Sequence, residues 1–307
     1  MAKPSEIMRY HTMSVTPFNK RGTVDEGALK EHLERIAAAG NGVFLASVGT
    51  GEAKLLSRDE IRRVYQVGVK VLKGTVPVYA AGLGLNDTAL VIDMANEAIA
   101  IGVDAAYMYG PRTGEANTPT RQEIDQFFAD VFAKVKGPLL PANNTTVVNY
   151  QVPVEVFSGL ARAHARRITA FPSADPNFFY NVRFIDAVAP KPVYTSMTTQ
   201  LLGLLAVGVR GALGHEGNVA PRLCQSIFAA WAKGDYKRSA QSYATLMRLG
   251  VVLSKYGNPR SQKAALEILG LPSSNPRRPY LPLDDAARKE LASVLDELEI
   301  RKIEGLA

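Results

Sequence analysis

A repeated unit governs how this chain can fold. A short apolar segment, a loop and an amphipathic helical segment recur about every 30 residues, more closely toward the C-terminus. The apolar segments fall at residues 13–16, 42–47, 76–81, 103–109, 138–142, 168–171, 192–195 and 211–214. Each is short and nearly continuous in its hydrophobicity, the pattern of parallel strands covered on both faces. Helical spacing follows: Leu29, Leu33 and Ile36 share one face of a segment at 26–39. Ser57-Arg58-Asp59-Glu60 and Thr120-Arg121-Gln122-Glu123 are capping boxes that open two further helices, and Asn86-Asp87-Thr88 supplies a cap for a third.

Eight such units predict an α/β fold, a (β/α)8 TIM barrel, and a chain of 307 residues can hold a barrel of about 250 residues with an appendage. A doubly wound open sheet would alternate in the same way, but no Gly-x-Gly-x-x-Gly opens the first βα turn. After Gly217 the strand pattern stops. Segments at 221–233, 235–255, 261–269 and 284–302 read as helices, so the expected division is a barrel at 8–217 and a C-terminal helical region at 218–307 packed on it.

Composition narrows the functional classes. The net charge of +7 suggests nucleic acid, but the basic residues are dispersed among acidic ones, with no basic tract. Nucleic acid is therefore not expected as a partner, and a positive field can instead steer small carboxylates. No stretch approaches the roughly 18 apolar residues of a membrane span, and the first residues lack a secretory pattern, so a cytoplasmic location is expected. One cysteine, Cys224, and four scattered histidines make neither a disulfide nor a zinc pattern.

In a TIM barrel the chemistry sits at the C-terminal ends of the strands. Those positions here include Thr16-Pro17-Phe18, Gly49-Thr50-Gly51-Glu52, Tyr107-Met108-Tyr109, Asn143-Asn144-Thr145, Phe171-Pro172-Ser173, Ser196-Met197-Thr198 and His215-Glu216-Gly217-Asn218. The run Val15-Thr16-Pro17-Phe18, the segment Gly49-Thr50-Gly51-Glu52, the run Asn218-Val219-Ala220-Pro221, and Lys263-Ala264-Ala265-Leu266 with Arg278-Pro279-Tyr280-Leu281-Pro282 occur in this order along nearly the whole chain. They resemble the dihydrodipicolinate synthase / N-acetylneuraminate lyase family. Members act on 2-oxo acids through a lysine imine that serves as an electron sink. The resemblance implies a homotetramer or homodimer, with residues 107–118 at a dimer contact.

The chain departs from the family where that chemistry should lie. Phe171 falls on the position of the imine lysine, Ala142 on that of the relay tyrosine, Val147 or a neighbour on that of a carboxylate-binding arginine, and Gly49 on one of two relay threonines. No lysine occurs between Lys136 and Lys191; Lys191 precedes a strand, while Lys20 and Lys54 lie in rim loops. The candidate catalytic residues are therefore His215, Tyr109 and Thr50, and the candidate substrate contacts Asn143, Asn144, Gly49, Thr16, Phe171 and Ser196. A histidine at the mouth of the eighth strand can act as acid or base near neutral pH. A hydrogen-bonded structural histidine explains the position equally well, as structural roles do for Asn143, Asn144, Tyr109 and Glu52. Only Glu52 and Glu216 are carboxylates at strand ends, so no metal or organic cofactor is expected. Two functions remain open: a lyase- or hydratase-type enzyme on a small carboxylate or 2-oxo acid without an imine, and a non-catalytic relative that binds a ligand or serves in assembly.

Overall fold

A computed structural model describes residues 8–84, 87–112 and 117–306. The strands are β1 (Arg9–Met13), β2 (Gly42–Leu45), β3 (Val78–Ala80), β4 (Ala105–Tyr109), β5 (Leu139–Asn144), β6 (Phe171–Ala174), β7 (Val193–Thr195) and β8 (Gly211–Gly214), and they close in sequence order into a parallel barrel. The helices are α1 (Glu26–Ala38), α2 (Arg58–Leu72), α3 (Thr88–Ile101), α4 (Arg121–Lys134), α5 (Thr145–Val148), α6 (Val154–Ala163), α7 (Phe178–Val188), α8 (Leu201–Ala206), α9 (Pro221–Ala232), α10 (Tyr236–Tyr256), α11 (Arg260–Ile268), α12 (Asp285–Glu297) and α13 (Ile300–Glu304). The expected (β/α)8 fold with C-terminal helices is what the chain adopts. No described helix is long and apolar enough to cross a membrane.

The chain forms two compact units, one of Tyr79–Leu213 and the other of Met8–Val78 with Gly214–Ala307. The C-terminal helices thus share a unit with β1 and β2. In that unit β1 pairs with β2 through His11, Thr12 and Met13 against Gly42, Val43 and Phe44. Both strands are buried along almost their whole length, which is why they read as apolar runs. Ser57 caps α2 in the expected box, its hydroxyl accepting from Glu60 N while Glu60 accepts from Ser57 N. In the other unit Thr120 and Glu123 repeat that box at α4. The cap of α3 is Asp87, whose carboxylate accepts from Leu90 N; Asn86 and residues 113–116 of the expected dimer loop lie outside the described residues.

Most element ends shift by one or more residues, and three of the differences have a clear local basis. β1 begins four residues earlier, at Arg9, because buried Tyr10, His11 and Thr12 are polar enough to look like loop. The segment at 284–302 breaks into α12 and α13 at Glu299, which adopts a left-handed φ of 52°. Most consequential is β6. Ile168 makes an isolated bridge to Leu139, and the strand proper starts at Phe171 rather than ending there. Its C-terminal end is Ser173-Ala174, followed by Asp175.

Candidate active site

In the unit that holds β1 and β2, the turn after β2 carries Gly49, Thr50, Gly51 and Glu52. Gly51 is required by space: a Cβ there would lie 2.4 Å from Ser47 N and 2.7 Å from Ala46 Cα. The turn is closed by Gly51 N donating to Ser47 Oγ at 3.0 Å and by Thr16 Oγ1 donating to the Gly51 carbonyl at 2.8 Å. Thr16 therefore supports the turn from β1's side. Thr50 is buried, and its hydroxyl accepts from Asn258 Nδ2 at 2.7 Å.

Glu52 ends the turn in a left-handed conformation, φ 57°. Such a non-glycine residue persists where its surroundings hold it. Here one oxygen accepts from Arg277 N at 2.7 Å, and the other meets Lys263 Nζ at 2.5 Å. Lys263 is 2% exposed, and burial lowers its pKa to about 8 although the Glu52 charge opposes the shift. Two cations approach the Phe18 ring, Lys263 Nζ and Arg277 Cζ each 4.3 Å from its centroid. Arg277 also clasps both oxygens of Glu60, holding that carboxyl below its ordinary pKa.

Neither Asn258 nor Lys263 was among the expected site residues. Lys263 was legible as a lysine in an apolar helical run; nothing local announced that Asn258 would reach a residue 208 positions away.

His215 caps the 3-10 turn Glu216–Asn218 that follows β8. Asn218 is the hub beneath it. Its Oδ1 accepts from Val15 N and faces His32 Nε2, each at 2.9 Å, while its Nδ2 donates to the carbonyls of Met13 and His215, each at 2.8 Å. His32 is pushed down to about 3 by burial, helped by Arg35, so it is the neutral ring that donates to Asn218. Glu216 does not join His215. It is 3% exposed and accepts the Tyr10 hydroxyl at 2.6 Å, and Tyr10 packs edge-on against Phe228 of α9. Burial first, and Glu216 second, push the Tyr10 phenol well above its ordinary pKa. Cys224 is buried and its thiol is likewise pushed well up, which makes it inert.

In the unit of Tyr79–Leu213, Tyr107 and Tyr109 lie on one face of β4 with ring centroids 4.7 Å apart. Burial raises the Tyr107 phenol to about 12, with Asn144 and Tyr109 easing the shift, and raises Tyr109 well above its ordinary value. Asn144 also caps α5, its Oδ1 accepting from Val147 N. Asn143, the adjacent strand residue, turns to the other face. Its Nδ2 donates to Asp175 Oδ2 at 3.1 Å, and its Oδ1 accepts from Val152 N at 3.1 Å. The two asparagines are therefore not one site. Asp175, 1% exposed, accepts in addition from Gln151 Nε2 and Asn177 N. This buried carboxylate was not anticipated, although Asp175-Pro176-Asn177 carries the signature of an Asx turn. Ser196 donates its backbone N–H to the Ser173 carbonyl at 2.7 Å, and its hydroxyl is buried without a partner among the described residues.

Phe171 is fully buried and makes edge-to-face contacts with Phe157 of α6 at 5.9 Å and Phe184 of α7 at 6.0 Å. Its ring thus lies in the helix layer. Successive strand residues alternate, so Ala170 and Pro172 hold the opposite face, away from those helices. Lys191 Nζ donates to the Ile168 carbonyl at 2.9 Å, ahead of the strand ends, and Lys20 and Lys54 are exposed. Among the described residues no cluster of three or more histidine, cysteine or acidic side chains is arranged to hold a metal.

A closed barrel of eight parallel strands alternating with helices makes this a TIM-barrel protein. The chain belongs to the Dihydrodipicolinate synthetase family, whose model matches residues 6–298. It is 30% identical over 298 residues to the 4-hydroxy-tetrahydrodipicolinate synthase of Acidiphilium cryptum, covering 92% of this chain and 96% of that one. Among solved structures it resembles a dihydrodipicolinate synthase from Bacillus anthracis, with a TM-score of 0.87, 26% identity and coverage of 94% and 98%. It also resembles the chloride-inhibited enzyme of Acinetobacter baumannii complexed with pyruvate, with a TM-score of 0.87, 25% identity and coverage of 96% and 99%.

Proposed function

We propose that this protein is a lyase-type enzyme acting on a small carboxylate or 2-oxo acid without forming a lysine imine at the end of β6. One observation carries the reading: β6 and the residues leading into it, 168–174, contain no amine, and the Phe171 ring is spent on packing against Phe157 and Phe184. The pyruvate complex of the Acinetobacter baumannii relative supports a 2-oxo acid as the ligand class. On this reading His215 is the acid or base, Tyr109 and Thr50 supply hydroxyls, and Asn144 and Ser196 contact the substrate. Gly49 adds no side chain next to Thr50. Thr16 acts through the turn after β2, and Asn143 through Asp175.

The proposal includes a cytoplasmic homotetramer or homodimer. Light scattering after gel filtration measures the mass.

The test has two parts. Borohydride is added with pyruvate and the intact mass recorded; the unmodified mass is expected, and a stable adduct would return the protein to imine chemistry. Turnover of a panel of 2-oxo and 2-hydroxy acids is then compared for the native protein and His215→Ala. Turnover lost in the variant supports the enzyme reading. Binding without any turnover by the native protein would instead make it a non-catalytic ligand-binding relative.

A further inference from the structure

We propose that Asn258, at the entrance to α11, is a positioning residue that sets the direction of the Thr50 hydroxyl proton. The inference deepens the function proposed above and rests on it for the identity of the ligand. Asn258 Nδ2 donates to Thr50 Oγ1 at 2.7 Å. A hydroxyl has one proton and two acceptor lone pairs. With one lone pair engaged by the amide, the proton cannot also point at Asn258, so Thr50 is held as a donor toward a ligand oxygen.

The rest of the unit fixes this arrangement. Gly51 admits no side chain, Thr16 anchors the Gly51 carbonyl, and the Lys263–Glu52 ion pair ties α11 to the same turn. Asn258 and Lys263 thus grip the turn from the two sides of α11's first residues. A Cβ at residue 49 would lie 3.7 Å from Asn258 Nδ2, so the amide covers the face that Gly49 leaves bare. The Asn258 carbonyl oxygen is buried with no hydrogen-bond partner among the described residues. It stands beside the Thr50 donor as an acceptor. Together the two atoms fit a ligand that offers a carboxylate or carbonyl oxygen next to a hydroxyl or amine.

The polarity of one hydrogen bond is the testable content. Asn258→Asp keeps the shape but replaces the donor by an acceptor, so the Thr50 proton is drawn to residue 258 and away from the ligand. With pyruvate as the probe, calorimetry is expected to give a dissociation constant weakened about tenfold or more in Asn258→Asp, the loss of one charge-assisted hydrogen bond. Thr50→Val is expected to lose about as much, and Asn258→Leu, which removes the donor without adding charge, nothing further when added to Thr50→Val. Because an added carboxylate also repels pyruvate, the neutral Asn258→Leu decides: a purely space-filling Asn258 predicts unchanged binding in it, and independent roles predict that its loss adds to that of Thr50→Val; either result overturns the proposal. Neutron diffraction from the deuterated, ligand-free protein tests it without any ligand. The Thr50 hydroxyl deuteron is expected to point away from Asn258, and a deuteron directed at Asn258 overturns the inference. Native protein that does not bind pyruvate refutes the functional reading alone, because the neutron result still decides on Asn258.

Discussion

The Lys263 ammonium meets the Glu52 carboxylate at 2.5 Å, with both side chains buried. Glu52 is also the left-handed residue that ends the turn carrying Thr50, so the pair joins α11 to that turn. Breaking a buried pair by removing one partner strands a charge and costs about 3–5 kcal/mol, whereas neutralising both is far less harmful. Lys263→Met is expected to lower unfolding stability by that amount in urea titrations. Lys263→Met with Glu52→Gln is expected to regain a substantial part. A double variant no more stable than the single one would mean that the pair is not the source of the loss.

Burial holds two histidines neutral. His11 and His32 are both pushed down to about 3, His11 with help from Arg9 and His32 with help from Arg35. In the unfolded chain each titrates near 6.5, so between 6.5 and 3 the unfolded state binds more protons than the native one. Stability is complete above that window and is lost as the pH falls through it, by about 1.4 kcal/mol per pH unit for each ring. His32→Gln retains an N–H for Asn218 Oδ1 but cannot titrate. Unfolding stability followed from pH 7 to 4 is expected to fall less steeply in the variant, by about that increment per unit. Parallel curves would show that His32 does not resist protonation in the native state.

The turn after β2 makes a contrast between neighbouring glycines. A methyl group at Gly51 would press on the backbone of Ser47 and Ala46, whereas at Gly49 the nearest atom lies at 3.7 Å. Backbone cannot yield as a side-chain end does. Gly51→Ala is expected to lower stability by about 1–3 kcal/mol, and Gly49→Ala by less than about 0.5. Thermal melts of the two variants measure this, and equal losses would count against the close approach at Gly51.

Much of this architecture was legible from hydrophobic period and caps. Ser57-x-x-Glu60 and Thr120-x-x-Glu123 announced two helices that form with their reciprocal hydrogen bonds intact. The site was less legible, for two physical reasons. Strand alternation sends neighbours to opposite faces, so Asn143 and Asn144, adjacent in sequence, serve Asp175 and α5 separately. Phe171 is turned to the helices by the same rule once β6 begins at that residue instead of ending there. Long-range contacts are the second reason: Asn258 on Thr50, Lys263 on Glu52 and Tyr10 on Glu216 join residues about 200 apart, and no local pattern encodes such a meeting.

The orientation of Phe171 makes a substitution there informative. Its ring fills a cluster with Phe157 and Phe184, contacts of a kind each worth about 0.5–1.5 kcal/mol beyond burial. Phe171→Leu is therefore expected to lower stability by about 1–2 kcal/mol while leaving pyruvate affinity unchanged. Phe171→Lys would place an ammonium among aromatic rings in the helix layer. It is expected to destabilise by several kcal/mol and to form no borohydride-trapped adduct with pyruvate. Ala170→Lys and Pro172→Lys carry the amine to the other face of β6, the face an imine would need. Trapping in Phe171→Lys but in neither neighbour would reverse the assignment of faces and return Phe171 to the ligand.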